Sequence, residues 1–359
     1  MAQSIILTLD AGTTGVKCAA FDRAGEAQFS CLEAYPTYFP RAGWAQQKPQ
    51  EQLDAVLRAI RQTLTHVQAA DAALVFTGTM NGCIPIDRDG NALHDNIIHS
   101  DVRTAPQVAE LEKRIPLADY YRRTGNRIDV HSGLPKYMWL KAEEPDLYRD
   151  AAWFVNIKDY LYGRFTGRVG GTDRSDASLC NCIDILGGDW AWDVLKEAGV
   201  DAAKMPELRA STDVTGRLNA AFAALTGLPE GLPVAVGAGD GACAAHGARP
   251  HERGAAYMNI GSSAWVSAMS DQPIMDRELR LFNYFDMDES CYNVCGTVQS
   301  GAAAFNWALD TLIALDDPAK KKDFAALEAM ARSVPAGANG VFFLPTLMGE
   351  RTPWWTAKA

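Results

Sequence analysis

The sequence predicts an α/β fold of two domains with a central cleft, and three observations carry this prediction. The first is a strand–turn–strand segment at residues 7–22, whose turn carries a carboxylate, glycines and hydroxyls. The second is a similar segment near residue 261, and the third is that helical and apolar strand segments follow each of them. With 359 residues, of which 48% are apolar and 22% charged, the chain has enough material for two such domains.

The first turn has the features of a phosphate-binding hairpin. Gly12 and Gly15 let backbone N–H groups approach a phosphate closely, and the hydroxyls of Thr13 and Thr14 can donate to its oxygens. Asp10 would repel an anion unless a cation lies between them, which indicates Mg²⁺. An ordinary glycine-rich hairpin is the alternative, because short glycine motifs often occur without a ligand.

An internal repeat favours the phosphate interpretation. The second turn carries Gly261, Ser262 and Ser263, and a strand lies on either side of it. Asn259 stands where the first copy has Asp10, so only the first turn keeps its carboxylate. Two such turns facing each other would hold a polyphosphate from both sides.

Periodicity predicts the elements that follow each hairpin. After a third strand at 28–34, an apolar stripe predicts a helix, and apolar runs predict further strands. Residues 104–165 are predicted to form consecutive helices, with starts at Thr104 and Ser132. The remaining predicted elements are a helix at 50–67, strands at 73–77, 83–87 and 232–236, helices at 220–226, 242–248, 300–313 and 318–333, and a strand at 340–344.

Asp240 is the candidate general base. It lies between Gly239 and Gly241, after an apolar strand and before a helix that could hold phosphate at its N-terminus. Phosphoryl transfer needs a phosphate cradle, a metal ion and a base near the attacking hydroxyl. The alternative is an N-cap aspartate, which would suit the same local sequence.

The chain resembles the FGGY family of carbohydrate kinases, which belongs to the superfamily of sugar kinases, actin and heat-shock chaperone ATPases. The resemblance implies an actin-like ATPase or ribonuclease H-like fold and ATP-dependent phosphorylation of a sugar hydroxyl. It also implies that Asp240 takes the proton from that hydroxyl. Besides the two turns, the matching stretches are residues 43–47, 77–82, 101–103, 172–177, 236–241 and 344–353.

The resemblance also implies the ligands. Asp10 and Asp240 would serve Mg²⁺, and both turns would hold the phosphates of ATP. The sugar would lie on the positions that match the family's substrate contacts. These positions are Met80, Asn81, Gly82, Asp101 and Arg103.

Within the family the xylulokinases resemble the chain most, which points to a pentulose such as D-xylulose. Three pocket positions depart from their pattern: Asn81 replaces His, His99 replaces Trp and Gly241 replaces Asn. A gluconokinase-like or other polyol specificity therefore stays open. So does a non-kinase actin-like ATPase or binding protein, which would share the two hairpins and need no sugar pocket.

Composition limits the other partners. A net charge of −10 argues against nucleic acid and anionic membranes, and no apolar run approaches the length of a membrane span. The eight cysteines lie mostly in apolar runs and lack zinc spacing, so they are predicted to be reduced and structural. We expect a cytoplasmic enzyme, and a homodimer is left open.

The resemblance predicts an N-terminal domain at 1–248, with the sugar site, the first hairpin and Asp240, and a C-terminal domain at 254–359 with the second hairpin. In the family, the segment at 349–353 leads to further strands, helices and an adenosine-binding loop. The second domain is therefore expected to be incomplete, and a polypeptide of residues 1–359 is expected to show little ATP affinity or kinase activity alone. The later strands of this second domain would be missing, and the exposed edge of its sheet would favour aggregation or association with other chains.

Overall fold

The computed structural model describes residues 4–248, 255–261, 263–313, 324–347 and 350–356. None of the helices within these ranges is long and apolar enough to cross a membrane. The strands are β1 (Ile5–Ala11), β2 (Gly15–Phe21), β3 (Ala27–Ala34), β4 (Gln46–Gln47), β5 (Ala72–Gly78), β6 (Ile84–Ile86), β7 (Asn96–Ile97), β8 (Trp153–Val155), β9 (Gly171–Asp173), β10 (Glu207–Arg209), β11 (Gly216–Arg217), β12 (Pro233–Ala235), β13 (Ala256–Ile260), β14 (Ala264–Ser270), β15 (Phe282–Phe285) and β16 (Tyr292–Val298).

The helices lie between groups of strands. They are α1 (Pro49–Leu64), α2 (Ala105–Arg114), α3 (Leu117–Thr124), α4 (Gly133–Glu143), α5 (Pro145–Asp150), α6 (Ile157–Thr166), α7 (Arg174–Leu179), α8 (Trp192–Ala198), α9 (Ala220–Thr226), α10 (Asp240–Ala248), α11 (Ala302–Ala308) and α12 (Phe324–Ser333). Four of them, α2 to α5, follow one another directly. A π-helical segment, Leu309–Ile313, continues α11.

A six-stranded mixed sheet forms the centre of the first half. Its strand order is β11–β12–β5–β1–β2–β3, with β1 antiparallel to β2 and parallel to β5. Helix α1 packs on β2 and β3, and α6 contacts β5. The predicted apolar stripe of α1 is confirmed, because Leu53, Val56 and Ile60 are buried in the same core as Leu7 and Leu9 of β1. Burial of this stripe is what stabilises the helix.

A four-stranded antiparallel sheet, in the order β13–β14–β16–β15, carries the repeat in the second half. Its first hairpin, β13–β14, corresponds to β1–β2 of the first half. Helix α11 begins beside the second turn, where the Ala302 N–H donates to Gly261 O at 2.8 Å. The repeat predicted from the sequence is therefore present as two strand–turn–strand units.

Two element predictions need correction. Residues 104–165 include a strand among their helices, because the apolar segment Trp153–Val155 pairs with β6. Residues 340–344 form no strand: Ala338–Gly340 make a 3-10 turn, and no strand in the described ranges pairs with the residues that follow. Their side chains are largely exposed, with Phe342 at 87%.

Of the predicted helix at 318–333, residues 318–323 lie outside the described residues, and the remainder forms α12.

The parallel strands of the large sheet bring the functional segments to one edge. Strands β1, β5 and β12 are parallel neighbours, so their carboxyl ends meet, and Gly78 at the end of β5 pairs with Gly239, which follows β12. Between β12 and α10 the chain bends at Gly237, whose φ is 76°. A Cβ there would lie 1.8 Å from Phe76 O, so only glycine permits this path. Helix α10 then begins at Asp240.

Candidate active site

A cavity of about 390 Å³ lies where the two hairpins face each other. The cavity is lined by Thr13 of the first turn, by Gly261 and Ser263 of the second turn, and by Asp240 and Gly241. Asn259, at the position corresponding to Asp10, lines it as well. Ser262 lies outside the described residues. The structure thus brings the turns of both halves and the predicted base to one space.

The two turns are held by backbone hydrogen bonds. The Gly12 N–H donates to Gly15 O at 3.0 Å, and the Gly261 N–H donates to Ser263 O at 2.8 Å. A Cβ on Gly15 would lie 2.5 Å from Glu33 O, so a side chain there would displace β3 from the hairpin. Thr14 is exposed at the tip of the turn and does not line the cavity.

Asp240 lies partly buried at the start of α10. Its Oδ1 accepts a hydrogen bond of 2.7 Å from the Gly241 N–H. Burial and the nearby charge of Asp10 raise the pKa of Asp240 to about 7, against the smaller opposing effect of N–H donors from Gly241 and Met80. A carboxylate with a pKa near neutrality is suited to accept and release a proton at physiological pH.

Asp10 lies near the end of β1, opposite Lys17 of β2. Burial raises its pKa, and Lys17 partly offsets this effect. Its Oδ1 is buried and has no hydrogen-bond partner among the described residues. An unpartnered buried carboxylate oxygen beside a second carboxylate fits a divalent cation, since Mg²⁺ commonly uses one or two carboxylates together with phosphate oxygens.

Two of the predicted sugar contacts line the cavity. Met80 packs against Gly239, and Asn81 adopts a left-handed backbone with φ at 64°. Lys136 holds this turn by donating to the backbone oxygen of Asn81, and the Asn81 Oδ1 has no partner among the described residues. Gly82 is buried behind the cavity wall rather than lining it.

Asp101 and Arg103 form a buried ion pair that does not line the cavity. Arg103 Nη2 lies 2.7 Å from Asp101 Oδ2, which also accepts the Ala45 N–H at 2.6 Å. The Arg103 guanidinium stacks 3.7 Å above the ring of Trp44. Because these contacts occupy the carboxylate and fix the loop at 43–47, the structure gives the pair a scaffolding position, and its sugar contact stays a prediction.

Several lining residues were not among the predicted site residues. His131 is the most informative: its Nδ1 lies 2.7 Å from Asp129 Oδ1, and it faces the same cavity as His99 and Arg351. Burial, followed by the charges of Lys136, Arg351 and His131, lowers the pKa of His99 to about 4. The sequence signal that could have identified His131 was its position two residues after Asp129. Further lining residues are Thr79, Leu179, Trp265, Phe282, Tyr284, Cys295 and Thr297.

A two-lobed α/β fold with paired hairpins and a partly buried carboxylate at one cavity defines an ATP-dependent phosphotransferase of the actin-like class. The chain belongs to the FGGY family of carbohydrate kinases. Residues 5–247 match the family's N-terminal domain and residues 256–359 its C-terminal domain. It is therefore a sugar kinase that uses ATP, as predicted, and the comparisons do not point to the non-kinase alternative.

The relatives include kinases of two sugar classes. The chain is 30% identical to the xylulose kinase of Bacillus subtilis over 97% of its own length and 69% of the relative's. It is 26% identical to the gluconokinase of the same organism over 98% of its own length and 69% of the relative's.

Solved structures agree with these relatives. A ligand-bound xylulose kinase from Lactobacillus acidophilus matches with a TM-score of 0.90 and 27% identity, over 99% of this chain and 71% of that one. A gluconate kinase from the same organism matches with a TM-score of 0.91 and 27% identity, over 100% of this chain and 71% of that one. The predicted fold is thereby confirmed. The predictions on the domain boundaries and on ATP binding by residues 1–359 stay predictions.

Proposed function

We propose that this enzyme transfers the γ-phosphoryl group of ATP to a hydroxyl of a pentulose such as D-xylulose, with Asp240 as the general base. The observation that carries the proposal is the position of Asp240 in a cavity lined by both hairpins. A partly buried carboxylate there can take the hydroxyl proton as the oxygen attacks phosphorus. Calorimetry with Mg-ATP on a polypeptide of residues 1–359 tests whether that polypeptide binds ATP.

The two turns supply the donors for the transferred group. Phosphate oxygens commonly bind backbone N–H groups and hydroxyls such as those of Thr13 and Ser263, which line the cavity. Thr14 and Ser262 belong to the same set by sequence, although Thr14 does not line the cavity. ATP supplies the electrophilic phosphorus, and its phosphates would lie between the turns. Their oxygens would carry the charge that develops during transfer, so donors placed on both sides favour the transition state.

Asp10 is proposed to hold Mg²⁺ together with Asp240. An Asp10→Asn variant should lose most of its Mg²⁺-dependent activity, because an amide oxygen is a weaker ligand than the buried carboxylate it replaces. Titration of kcat against Mg²⁺ measures the effect. An Asp54→Asn variant on the α1 surface is the control. Unchanged metal dependence in Asp10→Asn would contradict this role.

The pKa of Asp240, raised to about 7 by burial and by Asp10, predicts a pH dependence. The base works only when ionised, so kcat/KM for the sugar, which reports the pKa of the free enzyme, should rise with pH through about 7 and then level off. Measurements of kcat/KM between pH 5.5 and 9, at intervals of about half a pH unit, would reveal this rise. A flat profile below pH 7 would contradict the assignment of the base.

We propose that the sugar contacts Met80, Asn81 and His131. The site behind them is proposed to be shaped by Gly82, Asp101 and Arg103. Since Asp129 occupies Nδ1 of His131, a sugar hydroxyl would meet Nε2. His131→Ala should weaken sugar binding by about tenfold, the loss of roughly one hydrogen bond. Calorimetry with the preferred sugar measures this, with His66→Ala on the distant surface as control. Equal affinity in the variant and the wild type would remove His131 from the site.

A gluconokinase-like specificity is the second candidate. Arg351 lines the cavity beside His99 and His131, and a guanidinium there would suit the carboxylate of a sugar acid. Asn81 and Gly241 also change the donors and leave room beside the reacting hydroxyl, so D-xylulose should be accepted without being strongly preferred. Competition between D-xylulose and D-gluconate decides between the candidates. A strong preference for D-xylulose over every other sugar would show that these departures do not affect specificity.

We also propose that residues 1–248 and 254–359 act as the two lobes and that the enzyme works in the cytoplasm. ATP is available there, and the eight cysteines, all within the described ranges, are free thiols. Closure of the lobes around the cavity would exclude water from the transferred phosphoryl group. Because the lobes would close before the reaction, ATP and the sugar should both be bound before the phosphoryl group is transferred.

A further inference from the structure

A buried chain of hydrogen bonds connects the start of α10 to a charged cluster that lies outside the cavity. The Gly239 N–H, directly before Asp240, donates to Ser175 Oγ at 3.0 Å. Ser175 Oγ in turn donates to Asp173 Oδ2 at 2.5 Å. Ser211 Oγ donates to the same oxygen at 2.8 Å. One carboxylate oxygen therefore collects two hydroxyl donors, and one of them reaches the residue next to the proposed base.

The same carboxylate also fixes the approach of the chain to Asp240. The Gly237 N–H donates to the backbone oxygen of Ser211 at 2.9 Å, so Ser211 binds Asp173 with its side chain and the 236–239 segment with its backbone. On the opposite side Gly239 pairs with Gly78 at the end of β5. The segment before Asp240 is thus held from both sides, and one of these sides depends on Asp173.

A buried cation lies at the other oxygen of Asp173. Lys158 of α6 places its Nζ 3.0 Å from Asp173 Oδ1 and 3.7 Å from Asp176 Oδ2, and it also pairs with Asp159. All four side chains are almost completely buried. The ammonium leaves Asp173 Oδ2 to the two serines and keeps the carboxylate in a fixed orientation.

Asp173 is also the N-cap of α7, because its Oδ2 accepts the Ser175 N–H at 2.9 Å. Capping alone accounts for that one bond. It does not account for the Ser175 hydroxyl that links the carboxylate to Gly239, for Ser211 or for the buried lysine. These three contacts orient the Asp173 carboxylate toward the segment that precedes Asp240.

We propose that Asp173 is a positioning residue for Asp240, acting through Ser175 and Ser211 on the 236–239 segment, with Lys158 holding Asp173 in place. The inference rests on the proposed role of Asp240 as the base. A displacement of about 1 Å at a reacting group can reduce the rate by about 100-fold, so a fixed segment has a direct effect on turnover.

The test is a double-mutant cycle. Ser175→Ala leaves the Gly239 N–H without its acceptor and should lower kcat by about 10- to 100-fold, while sugar affinity stays as in the wild type. In an Asp240→Asn background the same change should have no further effect on kcat, because there is no longer a carboxylate to position. Thr226→Ala, which removes a buried hydroxyl that donates to Phe222 O far from the cavity, should leave kcat unchanged.

The outcomes separate the two proposals. If Asp240→Asn alone keeps near-normal turnover, the base is misassigned and the positioning role falls with it. If Asp240→Asn is defective but Ser175→Ala lowers kcat equally in both backgrounds, or has no effect in either, only the positioning role is overturned. Should Ser175→Ala fail to fold, Ser211→Ala enters the same cycle with the same expectations, and melting temperatures compared with Thr226→Ala exclude a loss of folded protein.

Discussion

Replacement of Asp240 by Asn is expected to lower kcat by about 10²- to 10⁴-fold while sugar binding largely persists. The amide keeps the size of the side chain and its place at the start of α10, but it cannot accept the hydroxyl proton. Asp240 lines the cavity with both hairpins, and its pKa is raised to about 7 by burial and by Asp10. The loss should therefore fall on the chemical step rather than on ground-state binding.

The measurement is kcat from a steady-state assay together with sugar affinity from calorimetry. Asp193→Asn, an exposed aspartate on α8, is the matched control and should behave as the wild type. Near-normal turnover in Asp240→Asn would place the base elsewhere. A collapse of sugar affinity at unchanged kcat would instead make Asp240 a binding residue.

Replacement of Lys158 by Met is expected to destabilise the protein by about 3 to 5 kcal/mol at neutral pH, because it leaves three buried carboxylates without their cation. Asp159, Asp173 and Asp176 all pair with Lys158 in the wild type. Burial lowers the pKa of Lys158, but these three charges more than reverse that effect and hold the pKa above its ordinary value of 10.5.

The sign of the pH dependence follows from these shifts. The folded-state pKa of Lys158 is raised, so its contribution is fully present below its unfolded pKa and is lost only as the pH rises through the folded value. In Lys158→Met, Asp159 and Asp176 can instead become protonated. Burial already raises the pKa of Asp159 and Asp176, so protonation relieves the penalty as the pH falls toward their ordinary value of 3.8.

Urea unfolding at pH 7.5 and pH 5 measures this effect, and the difference between variant and wild type should be larger at pH 7.5. Lys113→Met is the control, because its exposed i,i+3 pair with Glu110 should contribute little at either pH. A variant as stable as the wild type at pH 7.5 would show that the three carboxylates do not need Lys158.

Much of the fold could be predicted from the sequence because its signals are local. The apolar stripe of α1 repeats at helical spacing, the strand of Leu7 and Leu9 alternates toward the core, and Thr104 and Ser132 stand at the helix starts as expected. The prediction of a strand at residues 340–344 was wrong, because an apolar run does not specify the strand with which it would pair. The strand at Trp153–Val155 was missed for the converse reason, since it forms only against β6.

The sequence by itself determined the two hairpins, their repeat and the place of Asp240 before a helix, since glycines, hydroxyls and a carboxylate in a fixed order restrict what a turn can bind. Only the tertiary structure decided which distant side chains meet there. It brought His131 and Arg351 to the cavity, kept Asp101 and Arg103 behind it, and placed Lys158 among three carboxylates. Contacts between residues far apart in the chain depend on how sheets and helices pack, and no local pattern records that packing.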